Sequence, residues 1–103
     1  MLKLFNTLFS KTGTDYKQLM QDGAVILDVR TPEEYKAGHI KGSKNMPLNE
    51  IRANAEKIKK WNTKVITVCR SGARSSSAKN ILENQGIEVF NGGAWTELNK
   101  KIK

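Results

Sequence analysis

Apolar and polar positions follow one another along this chain in two rhythms. In "TDYKQLMQDG", Tyr16, Leu19 and Met20 recur at helical spacing behind the cap-type residues Thr14 and Asp15, and Gly23 follows. That predicts a short helix. "AVILDVR" is instead an unbroken apolar run closed by charge, the pattern of a strand buried on both faces. "TPEEYKAG" places Thr31 at an N-cap, Pro32 at the first helical position and Glu34 at the third, with Gly38 as the stop. "GHIKGSKNMPL" predicts a brief extended segment ending near Pro47. In "LNEIRANAEKIKKW", Ile51, Ala55 and Ile58 share one face of a helix, and "KVITVCR" is a second, β-branched strand. Ala78, Ile81 and Leu82 mark a helix ending near Gly86. "IEVFNGG" is the last strand, with Gly92 and Gly93 as a turn, and Trp95, Leu98 and Ile102 the last helical face.

Strands and helices alternate throughout, without a repeat or a linker. The expected fold class is therefore α/β, a parallel sheet covered by helices on both faces. In such sheets ligands bind beyond the carboxyl ends of the strands. Cys69 stands there, at the end of "VITV".

Composition narrows the picture in three ways. The 103 residues suit one domain with its own core, here 1–103 with the core at about 14–99. The single cysteine permits no intramolecular disulfide, which fits a reducing compartment and a cytoplasmic protein. The start, "MLKLFNTLFSKTG", lacks a continuous apolar core and an Ala-x-Ala cleavage site, so it is not read as a signal peptide. Export stays open if a leader has been removed. No apolar run approaches a membrane span. The net charge of +8 comes largely from lysines scattered from Lys3 to Lys103, without an aromatic-and-basic stripe. Nucleic acid and membrane are thus not expected partners. The charge solubilises the surface and draws in small anions.

The residues after the thiol carry the chemistry. "CRSGARS" runs from Cys69 through Arg70, Ser71, Gly72, Ala73 and Arg74 to Ser75, and a helix starts within or just after it. Amides at a helix start have no intrahelical partner and can face inward around an anion. Gly72 permits the curled backbone this requires. Unpaired amides, the helix dipole and two guanidiniums all favour thiolate over thiol, so a lowered Cys69 pKa is expected. Cysteine phosphatases place an arginine after five intervening residues. Here that position is Ser75, and Arg74 comes one residue early. The shorter loop suits a single transferred atom better than a tetrahedral phosphate.

With these pieces in order, the chain resembles the single-domain rhodaneses, which are thiosulfate-type sulfurtransferases. The resemblance runs through "AVILDVRTPEEYKAGHIKGSKNMPL", "VITVCRSGARSSSAKNILENQG" and "VFNGGAW". It implies a three-layer fold with a five-stranded, mostly parallel sheet. It also implies a sulfurtransferase of the thiosulfate:cyanide type, with Cys69 as nucleophile and persulfide carrier and no metal or organic cofactor. Arg70, Ser71, Gly72, Ala73, Arg74 and Ser75 would bind a small anionic sulfur donor. Asp28, Arg30 and His39 would support the site, with Glu34 as a cap within reach of Arg30. A thiol or a protein would accept the sulfur, and a monomer is the default. Two alternatives stand beside this one: a persulfide carrier in a protein relay, and a phosphatase or arsenate reductase on a related fold.

Overall fold

All five residues of Val65–Cys69 are buried, and they form the centre of the sheet. The computed structural model describes residues 13–103. The opening stretch considered above for a leader, up to residue 12, lies outside the described residues. In chain order the elements are α1 (Tyr16–Gln21), β1 (Val25–Asp28), α2 (Pro32–Ala37), β2 (Lys44–Asn45) and α3 (Leu48–Ile51). After a 3-10 turn (Arg52–Asn54) come α4 (Ala55–Lys59), β3 (Val65–Cys69), α5 (Ala73–Glu83), β4 (Val89–Ala94) and α6 (Trp95–Ile102).

The strands lie in the order β2-β1-β3-β4, and every pairing is parallel. Side-chain alternation then sorts the core into two layers. Leu27, Val65 and Cys69 face a cluster closed by Ile51, Ala55, Ile58, Ala78 and Leu82 of α3, α4 and α5. Ile26, Ile66 and Val68 face the other, closed by Leu19 of α1 and Leu98 of α6. Helices cover both sides, as the alternation of elements predicts.

Two expectations need correction. The resemblance implied five strands, and the described residues form four. Asp15 caps α1 directly, accepting from the Gln18 amide at 3.1 Å, so only residues 13 and 14 precede the cap in the described part. The single helix expected over "LNEIRANAEKIKKW" is instead broken into α3, the 3-10 turn and α4. Asn54 leaves helical geometry at φ −106° and ψ 10°, and its Nδ2 donates to the Glu50 carbonyl at 2.8 Å. A side-chain amide competing for backbone partners disturbs a helix in this way. The apolar face survives the break, because Ile51, Ala55 and Ile58 are all buried.

β4 approaches β3 unusually closely at Gly92. Thr67 pairs with Asn91 and Val68 with Gly93, leaving Gly92 as the extra residue of a bulge. A Cβ at Gly92 would lie 2.9 Å from Ile66 Cγ2 and 3.1 Å from the Thr67 carbonyl oxygen. Gly92→Ala is expected to cost about 1–3 kcal/mol through overpacking. Chemical denaturation measures it, and an unchanged midpoint would show that β4 yields freely.

Candidate active site

Cys69 ends β3 with its side chain in the first core layer and about 1% exposed. The chain then curls back over it. Gly72 adopts φ +107°, in the left-handed region, and becomes the N-cap of α5. The curl brings the Gly72 amide to 3.0 Å and the Ser75 amide to 3.3 Å from the sulfur, both as donors. The Ser75 hydroxyl lies 3.4 Å from it. Burial pushes the thiol pKa up and is the largest single influence. It is outweighed by the Ser75 hydroxyl and the amides of Ser75, Gly72 and Ser71 together, so the net pKa falls below the ordinary 9.0. The sulfur is thus out of water yet surrounded by donors, a setting that favours thiolate.

The other expected residues divide between loop and frame. Arg70, Ser71 and Ala73 are exposed on the loop, Gly72 is half-buried, and Ser75 is fully buried beneath the sulfur. Arg74 is turned to a partner forty residues away in sequence. Its two terminal nitrogens donate to Glu34 Oε1 at 2.8 Å and Oε2 at 3.0 Å, a forked pair tying α5 to α2. Glu34 also completes the capping box with Thr31, so one carboxylate serves two elements. The reach from Glu34 to Arg30 considered from sequence is replaced by this pairing, and Arg30 donates only to the Glu34 backbone carbonyl, at 3.3 Å.

Arg30 and Asp28 form a buried pair, 4% and 0% exposed. Arg30 Nε and Nη2 donate to the Asp28 carboxylate at 2.9 and 2.8 Å. Nη2 also donates to the Gly38 carbonyl at 2.7 Å, and the guanidinium lies 4.7 Å from the Trp95 ring centre. This frame joins the end of β1 to α2 and α6. His39 is exposed, stacks on Tyr35 with ring centres 3.7 Å apart, and places Nδ1 2.8 Å from the Tyr35 carbonyl oxygen.

Sequence reading missed Asn91. Its Oδ1 accepts from the Ser75 hydroxyl at 2.7 Å and from the Gly93 amide at 2.9 Å. The "NGG" triplet signalled a turn, but its contact with the cysteine loop depends on strand pairing. A groove of about 390 Å³ opens beside the loop, lined by Val29, Thr31, Pro47, Leu48, Asn49 and Arg74.

Arg74 holds the Glu34 carboxyl down, from 4.5 to about 2, with the Thr31 amide assisting. A lowered carboxylate pKa stabilises the fold above the unfolded-state value and stops doing so as pH falls through the folded value. The stability gap between the native protein and Glu34→Gln should therefore be full near neutrality and close between about 4.5 and about 2. Unfolding followed across that window tests it, and a gap that persists at the acid end would refute the pairing as its source.

A buried cysteine at a strand end, met by amides at the start of a helix, defines a cysteine site on an α/β sheet. The rhodanese-like domain family matches residues 12–98. The chain is 35% identical over 74 residues to thiosulfate sulfurtransferase PspE of Escherichia coli, covering 70% of this chain and 71% of that protein. It is 37% identical over 70 residues to thiosulfate sulfurtransferase GlpE of Pseudoalteromonas translucida, covering 68% and 66%. A solved Escherichia coli rhodanese with anions superposes with a TM-score of 0.66 at 34% identity, over 73% of this chain and 91% of that one. The chain belongs to the rhodanese-like family. It spans about two thirds of the length of several curated relatives, 66% and 64% in two further cases. Among the described residues, no helix is long and apolar enough to cross a membrane.

Proposed function

We propose that this protein is a sulfurtransferase that carries a sulfane sulfur on Cys69. The observation that carries the reading is the cradle itself: a buried sulfur accepting from the Gly72 and Ser75 amides at 3.0 and 3.3 Å. In the first half-reaction the Cys69 thiolate attacks the outer sulfur of thiosulfate. The S–S bond of the donor breaks, sulfite leaves with its electron pair, and Cys69 holds a persulfide. In the second, a thiolate or cyanide attacks the outer persulfide sulfur and Cys69 departs as thiolate. This is nucleophilic catalysis through a covalent intermediate. The amides of Ser71, Gly72 and Ser75 stabilise the thiolate before attack and on departure.

Arg70 is exposed at the mouth and steers the anionic donor. Arg74 is engaged by Glu34, so its part is to hold the loop in shape and add positive field rather than to grip the donor freely. Ser75 supports the sulfur from beneath. Asp28, Arg30 and His39 brace the frame.

Intact mass tests the proposal directly. The purified protein should gain one sulfur on exposure to thiosulfate and lose it to cyanide or a thiol. A free, alkylatable Cys69 that never gains sulfur would reject thiosulfate as donor. A protein-borne persulfide would then be the donor to try.

A further inference from the structure

Ser75 carries one hydroxyl proton, and three acceptors surround it. Asn91 Oδ1 is nearest at 2.7 Å, the Gly72 carbonyl oxygen lies at 3.1 Å and the Cys69 sulfur at 3.4 Å. The proton can serve only one well. With Cys69 as thiol, the S–H donates to Ser75 Oγ and the Ser75 O–H donates to Asn91. With Cys69 as thiolate, that same proton must turn towards sulfur to help, and the Asn91 bond is lost. The orientation of the Asn91 amide is not arbitrary here. The Gly93 amide donates to the same oxygen at 2.9 Å, and an NH₂ group in its place would face a donor. Asn91 is itself fixed from the other side of the sheet, where the Tyr16 hydroxyl donates to its backbone carbonyl at 2.9 Å. The bulge at Gly92 sets this residue opposite Thr67, one strand away from the cysteine loop.

We infer that Asn91 is a positioning residue that holds the Ser75 proton away from the Cys69 sulfur, and thereby restrains ionisation of the nucleophile. Attack and departure make opposite demands on that sulfur. A thiol of very low pKa ionises fully but attacks weakly, and the best attacking thiol has a pKa near ambient pH. Asn91 moderates the donor set so that the thiolate is formed without being over-stabilised. The inference rests on Cys69 acting as the nucleophile of the proposed reaction, but its test does not require sulfur transfer.

The test is the rate of Cys69 alkylation by iodoacetamide across pH. In Asn91→Ala the hydroxyl loses its strongest acceptor and keeps only the Gly72 carbonyl and the sulfur, so it turns to the thiolate more readily and the midpoint should fall by up to about one pH unit, the scale of one hydrogen bond. The shift should vanish when Asn91→Ala is made in the Ser75→Ala background. Asn91→Asp keeps the acceptor for the Gly93 amide and so protects the fold if the alanine variant fails. Its carboxylate holds the Ser75 proton more tightly and repels the thiolate, so the midpoint should rise, and rise further with Ser75 present than without it. The charged groups on the loop and the neighbouring elements include Arg70, Arg74, Lys79, Glu83, Asp28, Arg30 and Glu34, while Val89–Ala94 carries none. None of these is altered in either background, so their fields cancel in the comparison. A midpoint that stays fixed or rises in Asn91→Ala, or shifts of equal size in both Ser75 backgrounds, would overturn the inference. Because alkylation reads the sulfur alone, failure of thiosulfate to load would count against the proposed function without touching this result.

Discussion

Cys69→Ser will lose sulfur transfer by at least about a thousandfold while the protein unfolds near its native midpoint. Under the proposed mechanism the loss follows because the persulfide needs a sulfur nucleophile, and removing the covalent centre typically costs that much or more. The retained fold follows from the cradle. A serine oxygen can accept from the Gly72 and Ser75 amides that now bond the sulfur. It differs from sulfur mainly in size. Cys69→Ala is the informative contrast, since it leaves those two amides without their acceptor in a buried place. It should be the less stable of the two, by about 1–3 kcal/mol. Thiosulfate:cyanide turnover and denaturant midpoints measured side by side decide both points. Turnover in the serine variant close to the native rate would mean that sulfur does not pass through Cys69.

The largest stability loss is expected at Asp28→Ala, on the strand beside Cys69. Arg30 is 4% exposed, and the Asp28 carboxylate accepts from its side chain through both oxygens, with Oδ1 also accepting from the Arg30 amide at 3.1 Å. Truncation leaves a guanidinium buried without its counter-charge. Breaking one side of such a pair costs about 3–5 kcal/mol, because the survivor keeps its desolvation penalty. Asp28→Asn keeps an acceptor and should cost less. Urea unfolding with an unchanged slope would report the difference cleanly. A loss under about 1 kcal/mol in Asp28→Ala would mean that water or movement of α2 reaches Arg30.

The features legible in the sequence were the local ones. Thr31, Pro32 and Glu34 lie within one helical turn, so their capping box could be read from spacing. The buried strand ending at Cys69 and the glycine-assisted curl after it were legible for the same reason. The partners of Arg74 and Ser75 were not. Glu34 is forty residues from Arg74, and Asn91 is sixteen from Ser75; only strand pairing and helix packing bring them together. The broken helix before β3 was hidden because its apolar spacing holds even though Asn54 interrupts the backbone. The expectation of five strands came from the resemblance and not from periodicity, and the described residues supply four.

The position of β3 has a consequence for how the molecule breathes. It is hydrogen-bonded to β1 on one edge and to β4 on the other, and all its residues are buried. Such a strand exchanges its amide hydrogens only in the rarest and most global openings, whereas exposed turns open freely. Cys69 is the last residue of that strand, and Arg70 and Ser71 are the first exposed residues beyond it. Cys69 is thus anchored in the part of the chain expected to exchange slowest, and the groups that meet solvent lie one peptide bond away. Hydrogen exchange should show this boundary as an abrupt loss of protection between Cys69 and Ser71. Thiol-labelling under native conditions would then report approach to the loop, not unfolding of the sheet.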